Sequence, residues 1–513
     1  MTDVPEGAPA GPAEMALWIG FGAMCLGLFM AVLDVQVVAS SLTAIQTAFH
    51  VSLDRLGWIQ TAYLMAEVVA IPLTGILTRA LSLRILFAAA SLGFVLASLG
   101  CALAANFGVL MVGRVVQGFF GGMLIPSVFT AVFVLIPKRH HVLATTMAGV
   151  AALIAPTLGP LLGGWLTETR SWHWIFLINI LPGLVVAATV LMSLKREVAD
   201  TAALKRMDLA TLLLFAVFLA ALQWLLNEAP AHHWQGSTVL GVASLCAASM
   251  AWGIHRALSV AHPFIHLGRL GERDFALGCS LSFVLGIGLY GSIYLLSLFL
   301  GLVRGHGPIA IGEVLMVSGA AQLLTAPLAA WAETRLDARL LTLFGFLLFG
   351  LGLFANGFTT QTSDFRALFW PQVMRGLAMM FCLLPSTRYA LGSRPPNQVA
   401  EASGLFNLMR NLGGAIGIAV IDTILTERTQ GHVQQLVARL QSGDPVAAGL
   451  VGLPTALFHH RAMAPVDPVM RAMIEPMVRR AALTQSCNEA WLLLGAVFIA
   501  SLLLLPAMRR RRS

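Results

Sequence analysis

Three ionisable side chains sit where a chain of this kind tolerates few. Asp34, Glu67 and Arg114 each fall inside a long apolar run. A charge in hydrocarbon costs at least ~2.5–3.5 kcal/mol, so each group needs a partner or a task. At ~1.5 Å per residue, Asp34 lies ~12 Å from the outer end of its run, while Glu67 and Arg114 lie ~15 Å and ~9 Å into theirs. Two carboxylates and an arginine therefore share one depth. Burial disfavours an ionised carboxylate and a neighbouring arginine favours it, a balance that can leave the group titratable near neutral pH. Proton coupling needs such a group. The competing reading is an ion pair that only ties helices together, and Glu67 could instead recognise a cationic substrate.

The second half of the chain carries Arg375 and Arg410 within apolar runs and no evident acid beside them. An arginine facing a central cavity would favour anionic substrates or pair with Glu67 across the molecule; packing or snorkelling is the alternative. Asp422 falls near the outer end of its run, where a solvated role is expected. Tyr63, Tyr290, Tyr294, Asn407 and Asn411 serve either as polar groups of a cavity or as interhelical hydrogen-bonding glue. The paired histidines His140–His141, His232–His233 and His459–His460 are poor chelators, because adjacent residues on a helix point apart. No cysteine pair has CxxC spacing, and Cys25, Cys101, Cys246, Cys279 and Cys382 read as buried structural thiols. Neither a metal nor a cofactor is expected.

The elements that must hold these groups are membrane helices. Of 513 residues, 58% are hydrophobic and 11% charged, against roughly a quarter charged in soluble domains. Such a surface cannot be solvated by water, which excludes a soluble enzyme. Apolar runs of about 20 residues, the length that crosses a bilayer, number fourteen. They fall near 16–42, 57–77, 84–104, 108–134, 142–166, 173–194, 209–226, 238–255, 275–302, 311–331, 340–356, 367–391, 402–424 and 488–508, spans 1 to 14 below. Residues 425–487 are expected to form a long outside loop, with an amphipathic helix over Arg461–Arg480.

With the N-terminus inside, the cytoplasmic connections and tail hold eighteen lysines and arginines, and the short outside loops hold only Arg55, Arg170, Arg304 and Arg366. That asymmetry supports the count and puts both termini in the cytoplasm. The net charge of +8 thus faces the membrane, not nucleic acid. Met1–Glu14 has no cation and no small-residue cleavage site, so it reads as a disordered leader and not a signal peptide.

Two segments look like distant copies. Arg114, Gly118 and Pro126–Ser127 of span 4 parallel Arg375, Gly376 and Pro385–Ser386 of span 12; Gly149 and Gly159 of span 5 parallel Gly404 and Gly414 of span 13. Their order implies that spans 1–6 and 9–14 are repeats with 7–8 inserted, an architecture that places a substrate site at midplane between the halves. The corresponding division is 1–15 leader, 16–194 first half, 195–274 linker with two extra helices, and 275–513 second half.

Span 5 holds Ala155-Pro156-Thr157-Leu158-Gly159-Pro160-Leu161-Leu162-Gly163-Gly164. Prolines kink a helix and glycines admit a close neighbour, so Pro156, Gly159, Pro160, Gly163 and Gly164 read as a packing seam or a conformational hinge. This run resembles the antiporter motif of the major facilitator superfamily, Gly-x3-Gly-Pro-x2-Gly-Gly, with Ala155 in place of the first glycine. Leu33 to Val38 resembles the first-helix motif of fourteen-helix drug:proton antiporters, with Gln36 at the motif's threonine; Gln36 joins the cavity candidates. Arg114-Val115-Val116-Gln117-Gly118 is similar to the family's fourth-helix motif. Gly75 to Arg79 with Arg84 resembles a degraded loop 2–3 motif, and Trp172 to Asn179 resembles the sixth-helix opening of the EmrB/QacA-type group.

The resemblance implies an all-α membrane protein with the major facilitator superfamily fold, two six-helix halves plus two inserted helices. It implies proton-coupled efflux of drugs or other hydrophobic and amphipathic molecules across the bacterial inner membrane, with Arg114 assisting proton transfer. It leaves open a periplasmic adaptor and outer-membrane channel as partners. No Gly-x4-Gly-Lys-[Ser/Thr] run occurs, so an ion gradient, not ATP, is the expected energy source. An exporter dedicated to one metabolite or organic anion is the main competitor. A proton-coupled importer is disfavoured by the Gly-Pro run, and a membrane enzyme by the lack of a nucleophile or metal cluster.

Overall fold

Hydrocarbon offers no partner for backbone N–H and C=O groups, so a spanning segment must satisfy them internally, and long apolar runs form helices. The computed structural model describes residues 12–52, 55–195, 208–229, 234–260, 268, 271–391, 396–455 and 468–508. Among these, fourteen helices are long and apolar enough to cross a membrane. Spans 1 to 7 are Glu14–Ala39, Trp58–Thr78, Leu83–Ala102, Phe107–Val132, Leu143–Thr169, Trp174–Ser193 and Leu209–Leu226. Spans 8 to 14 are Ser237–Ser259, Arg273–Val303, Pro308–Glu333, Ala338–Asn356, Phe365–Leu391, Ala402–Gln441 and Ile474–Ala507. The expected leader up to residue 11, the linker cations Arg196, Lys205 and Arg206, Arg394 and the tail arginines lie outside the described residues.

Local signals fix several starts. The Asn106 side chain accepts from Val109 N at 3.0 Å and begins span 4, and Asp208 accepts from Thr211 N at 3.3 Å before span 7, both N-caps. Prolines 126, 156, 160 and 385 stay within continuous helices. Ser127 and Ser386, each following one of them, donate to the carbonyls of Met123 and Cys382, both at 2.6 Å. The two segments paired by sequence thus repeat this local device.

Helix packing repeats with a shift of eight. Span 4 packs on spans 2 and 3, span 1 on 5 and 6, and span 3 on 6. In the second half span 12 packs on 10 and 11, span 9 on 13 and 14, and span 11 on 14. The halves meet where span 5 lies on span 10 and span 13 on span 2, and the same shift exchanges those two contacts. Gly118 lets span 4 rest against the Tyr63 carbonyl, and Gly376 lets span 12 rest against the Ser318 carbonyl; a methyl group on either would overlap that oxygen. Spans 7 and 8 pair with each other, and span 7 touches both span 2 and span 13.

One expectation needs correction. The stretch 425–487 is not one loop: span 13 belongs to a single helix Pro396–Gln441, and span 14 to a helix Pro468–Ser501, with a short helix Pro445–Val451 between them. At ~1.5 Å per residue a 40-residue span is ~60 Å long, twice the hydrocarbon thickness, so both helices project from the membrane. Leu436, Leu440, Ala448, Val451, Val478 and Ala482 give the projection its own small core, and this burial keeps the helices going past the bilayer. The expected amphipathic helix from Arg461 falls partly outside the described residues, and its C-terminal part is the start of span 14's helix. Span 6 runs Trp174–Ser193 as expected, with a two-residue turn at Ile178 and Asn179 whose backbone stays in the right-handed helical region. Span 1 ends at Ala39, and a separate helix Leu42–Phe49 follows.

If close approach of spans 2 and 4 depends on Gly118, Gly118→Ala should cost ~1–3 kcal/mol by overpacking. Gly100→Ala, where a methyl meets nothing within 4 Å, should be neutral or stabilising by up to ~1 kcal/mol. Thermal unfolding of the purified protein in detergent distinguishes them; equal melting temperatures would contradict the packing argument.

Candidate functional site

Asp34 and Arg114 meet at the centre of the first half. Asp34 is 1% exposed and Arg114 fully buried. Arg114 Nη1 donates to Asp34 Oδ2 at 2.5 Å and to Gln117 Oε1 at 2.6 Å, while its Nε donates to the Ile59 carbonyl at 3.0 Å. The other carboxylate oxygen, Oδ1, accepts from Gln117 Nε2 at 2.8 Å and Asn179 Nδ2 at 2.7 Å. Gln117 also donates to Ser98 Oγ at 2.8 Å. The guanidinium lies 4.5 Å over the Tyr63 ring and 5.8 Å from the Phe176 ring, which receive its remaining face as cation–π partners. Spans 1, 2, 3, 4 and 6 all contribute, Asn179 coming from the turn near the start of span 6.

Glu67, expected at the same depth, makes no ion pair in this network, although Arg114 and Tyr63 act on it electrostatically. It is buried, and its chief electrostatic partners are Arg410 and Asn411 of span 13 in the other half. Arg410 Nη2 donates to Asn407 Oδ1 at 2.5 Å, and Tyr290 donates to Asn411 Oδ1 at 3.3 Å. Glu67, Tyr290, Asn407, Arg410 and Asn411 thus form one polar cluster across the seam.

The other candidates are dispersed. Tyr63 belongs to the Asp34–Arg114 centre, its hydroxyl donating to the Ala31 carbonyl at 3.4 Å. Gln36 is buried, with Gly159 of span 5 packed against its Cβ. Tyr294 donates to Asp422 Oδ1. Asp422 is 3% exposed, which corrects its expected solvated role: its carboxylate lies against Gly57 at the start of span 2, where any side chain would collide with it. Arg375 is 3% exposed and donates to Gln372 Oε1 at 2.8 Å and to Ser292 Oγ.

The proline–glycine run of span 5 touches both halves. Gly163 packs on the Val37 carbonyl of span 1, Gly164 on the Pro308 carbonyl of span 10, and the Pro160 carbonyl abuts Gly312. Glu168 accepts from Ile309 N at 3.2 Å. These close approaches lie from mid-depth to the predicted outer face. Further inward the seam loosens: a methyl on Gly404 would be 3.5 Å from Ile71, an ordinary contact, and one on Gly149 would meet nothing within 4 Å.

Gln117, Asn179 and Ser98 were not singled out from sequence. Gln117 stands three residues after Arg114, hence on the same helix face, and that spacing was a usable signal. Asn179 closes the sixth-helix motif but carried no assigned role there, and Ser98 had no signal, because only the bundle brings spans 3 and 6 to span 1.

Removing one member of a buried pair strands the other, at about 3–5 kcal/mol. Asp34→Ala should therefore destabilise strongly, and adding Arg114→Leu should recover part of the loss. A double-mutant cycle from thermal or denaturant unfolding reads the coupling; additive effects would mean that the pair does not hold the half together.

The Major Facilitator Superfamily model matches residues 24–418. The colistin resistance protein EmrB of Acinetobacter baumannii is 39% identical over 426 residues, 83% of each chain. The multidrug export protein EmrB of Escherichia coli is 29% identical over 438 residues, 83% of this chain and 84% of its own. Among solved structures, a bacterial homologue of the human lysosomal transporter Spinster, inward-facing and unoccupied, superposes with a TM-score of 0.59 at 15% identity, covering 95% of this chain and 98% of its own. Its likeness is one of fold. Paired six-helix halves, the fourteen spans and these matches place the chain in the Major Facilitator Superfamily, in the fourteen-helix EmrB/QacA-type family of membrane transporters, which are not enzymes.

Proposed function

We propose that this protein is a secondary active transporter that exports hydrophobic or amphipathic small molecules, such as drugs, from the cytoplasm in exchange for protons. It works by alternating access in the bacterial inner membrane, with both termini cytoplasmic. The relatives named for colistin resistance and multidrug export support a drug-like cargo. Residues 16–194 and 275–513 act as the two rocking halves, with 1–15 as leader and 195–274 as the linker carrying the inserted pair. A periplasmic adaptor and outer-membrane channel fit as partners, since the helices of spans 13 and 14 project beyond the predicted outer face and offer an attachment surface.

The observation that carries this reading is the apposition of Glu67 in one half to Arg410 in the other. The partners of Asp34 all belong to its own half, so rocking of the halves does not by itself part them. Those of Glu67 lie chiefly in the other half. When the predicted outer side opens, spans 2 and 13 part and Glu67 loses Arg410, keeping only the weaker influence of Arg114; a carboxyl group in hydrocarbon with less compensating charge is more readily protonated. Closure of the outer side restores Arg410, and the proton leaves on the other side. Only such a difference between states can drive a cycle. Asp34 and Arg114 form the second proton-coupling centre, one that exchanges protons when the Asn179 and Gln117 donors shift. The Pro156–Gly164 run is the hinge, and Gln36, Tyr63, Tyr290, Tyr294, Asn407, Arg410 and Arg375 are polar groups exposed to substrate at different points of the cycle.

An exporter dedicated to one organic anion is the second reading, favoured by Arg375, which has no carboxylate within 4 Å among the described residues. A toxicity panel in a pump-deficient host, with and without the gradient collapsed, separates the two: protection against chemically unrelated compounds supports polyspecific export, and protection against a single compound the dedicated exporter.

In proteoliposomes, Asp34→Asn and Glu67→Gln should each abolish substrate accumulation driven by a proton gradient while leaving gradient-independent substrate exchange intact. Uphill transport at the parental rate by either variant would remove that residue from the coupling mechanism.

A further inference from the structure

The two halves treat their buried arginines differently. Arg114 is neutralised by Asp34 of span 1. Arg375, its counterpart in span 12, instead donates to the hydroxyl of Ser292 in span 9 and to the Gln372 carboxamide. Its Nε has no partner, and no carboxylate lies within 4 Å among the described residues. Phe349 and Trp491 flank the guanidinium, each ring 5.7 Å away. They supply quadrupole and apolar cover but no negative charge. Asn356 stands one turn along span 11 from Gly352, which packs on the Arg375 stem, and both ends of its buried carboxamide are unpartnered. An uncompensated guanidinium with orphaned polar atoms nearby is an expensive arrangement in a protein interior.

Arg375 also lines a cavity of about 30 Å³. Ser318 and Gln322 add polar groups to its wall, and Pro156 and Pro160 of the other half complete it. Gln322 Nε2 has only a weak contact, 3.9 Å from Met380 Sδ, so its N–H groups remain available. Room for one or two water-sized occupants, a cation, a spare guanidinium N–H and a free amide donor describe a receptor for a single small anion.

We infer that Arg375 is the seat of a compact monovalent anion, a halide ion or the carboxylate head of an amphipathic substrate, bound between spans 5, 10 and 12. The anion takes the role in the second half that Asp34 takes in the first. Because Pro156 and Pro160 form part of the wall, the site is complete only while span 5 rests on span 10, so occupancy favours the arrangement seen here. The site does not depend on proton coupling, and transport results with Asp34 and Glu67 variants leave it untouched.

The test is thermal unfolding of the purified full chain at constant ionic strength, with gluconate replaced stepwise by chloride, acetate or octanoate. A saturable rise in Tm is expected for the parent and for Arg366→Gln, an exposed arginine elsewhere, and none for Arg375→Gln. Ser292→Asp places a carboxylate on the guanidinium and should melt higher in gluconate and ignore added anions; it decides the matter if Arg375→Gln does not fold. A response to chloride identifies a halide site, and a response to the carboxylates alone identifies a substrate headgroup. Absence of any saturable shift in the parent, or a parental response from Ser292→Asp, would overturn the inference.

Discussion

A charge buried in hydrocarbon must be answered by an opposite charge, a proton or an equivalent set of dipoles, and much of this protein's interior follows from that requirement. Arg114 is answered by Asp34, and the carboxylate by Arg114 and two further donors, Gln117 and Asn179. To bring those donors together, span 6 packs on span 1 and span 4 lies tightly on span 2 through Gly118. Glu67 is answered chiefly from across the seam, and Arg375 by no carboxylate within 4 Å among the described residues. Three answers to one electrostatic problem give three arrangements: an ion pair within one half, a carboxylate faced by an arginine across the seam, and a guanidinium with no carboxylate within 4 Å among the described residues.

The repeat makes these differences informative. Both halves use the same helix pairings, the same glycine approach to a carbonyl and the same serine back-bond beside a helix proline. Against that shared scaffold, the exchange of Asp34 for Ser292 as the arginine's partner is a change of chemistry without a change of fold. Function in such a molecule resides in the polar substitutions within a common frame.

The seam between the halves is graded. Glycines at 57, 164 and 312 bring backbone and side chains of the two halves into contact at the predicted outer face, and Asp422 seals against Gly57 with Tyr294 behind it. Towards the predicted inner face the approaches lengthen. Span 7, touching spans 2 and 13 together, braces one side of this seam, which gives the inserted pair a structural place without making it part of either half.

The amino-acid sequence alone determined the class, the number of spans, the repeat and the presence of acids and arginines at one depth. Each of these depends on quantities carried by single residues or short windows: apolar run length, the placement of cations, and the order of Gly and Pro. Which charge meets which was decided only by the tertiary structure. Asp34 and Glu67 have similar depth and opposite fates because depth fixes one coordinate, and rotation about each helix and the choice of neighbour fix the others. Asp422 looked solvated near a span's end, yet the helix carrying it continues far past that end, stabilised by contacts with span 14 that no local pattern announces. Packing between segments distant in the chain is the physical reason.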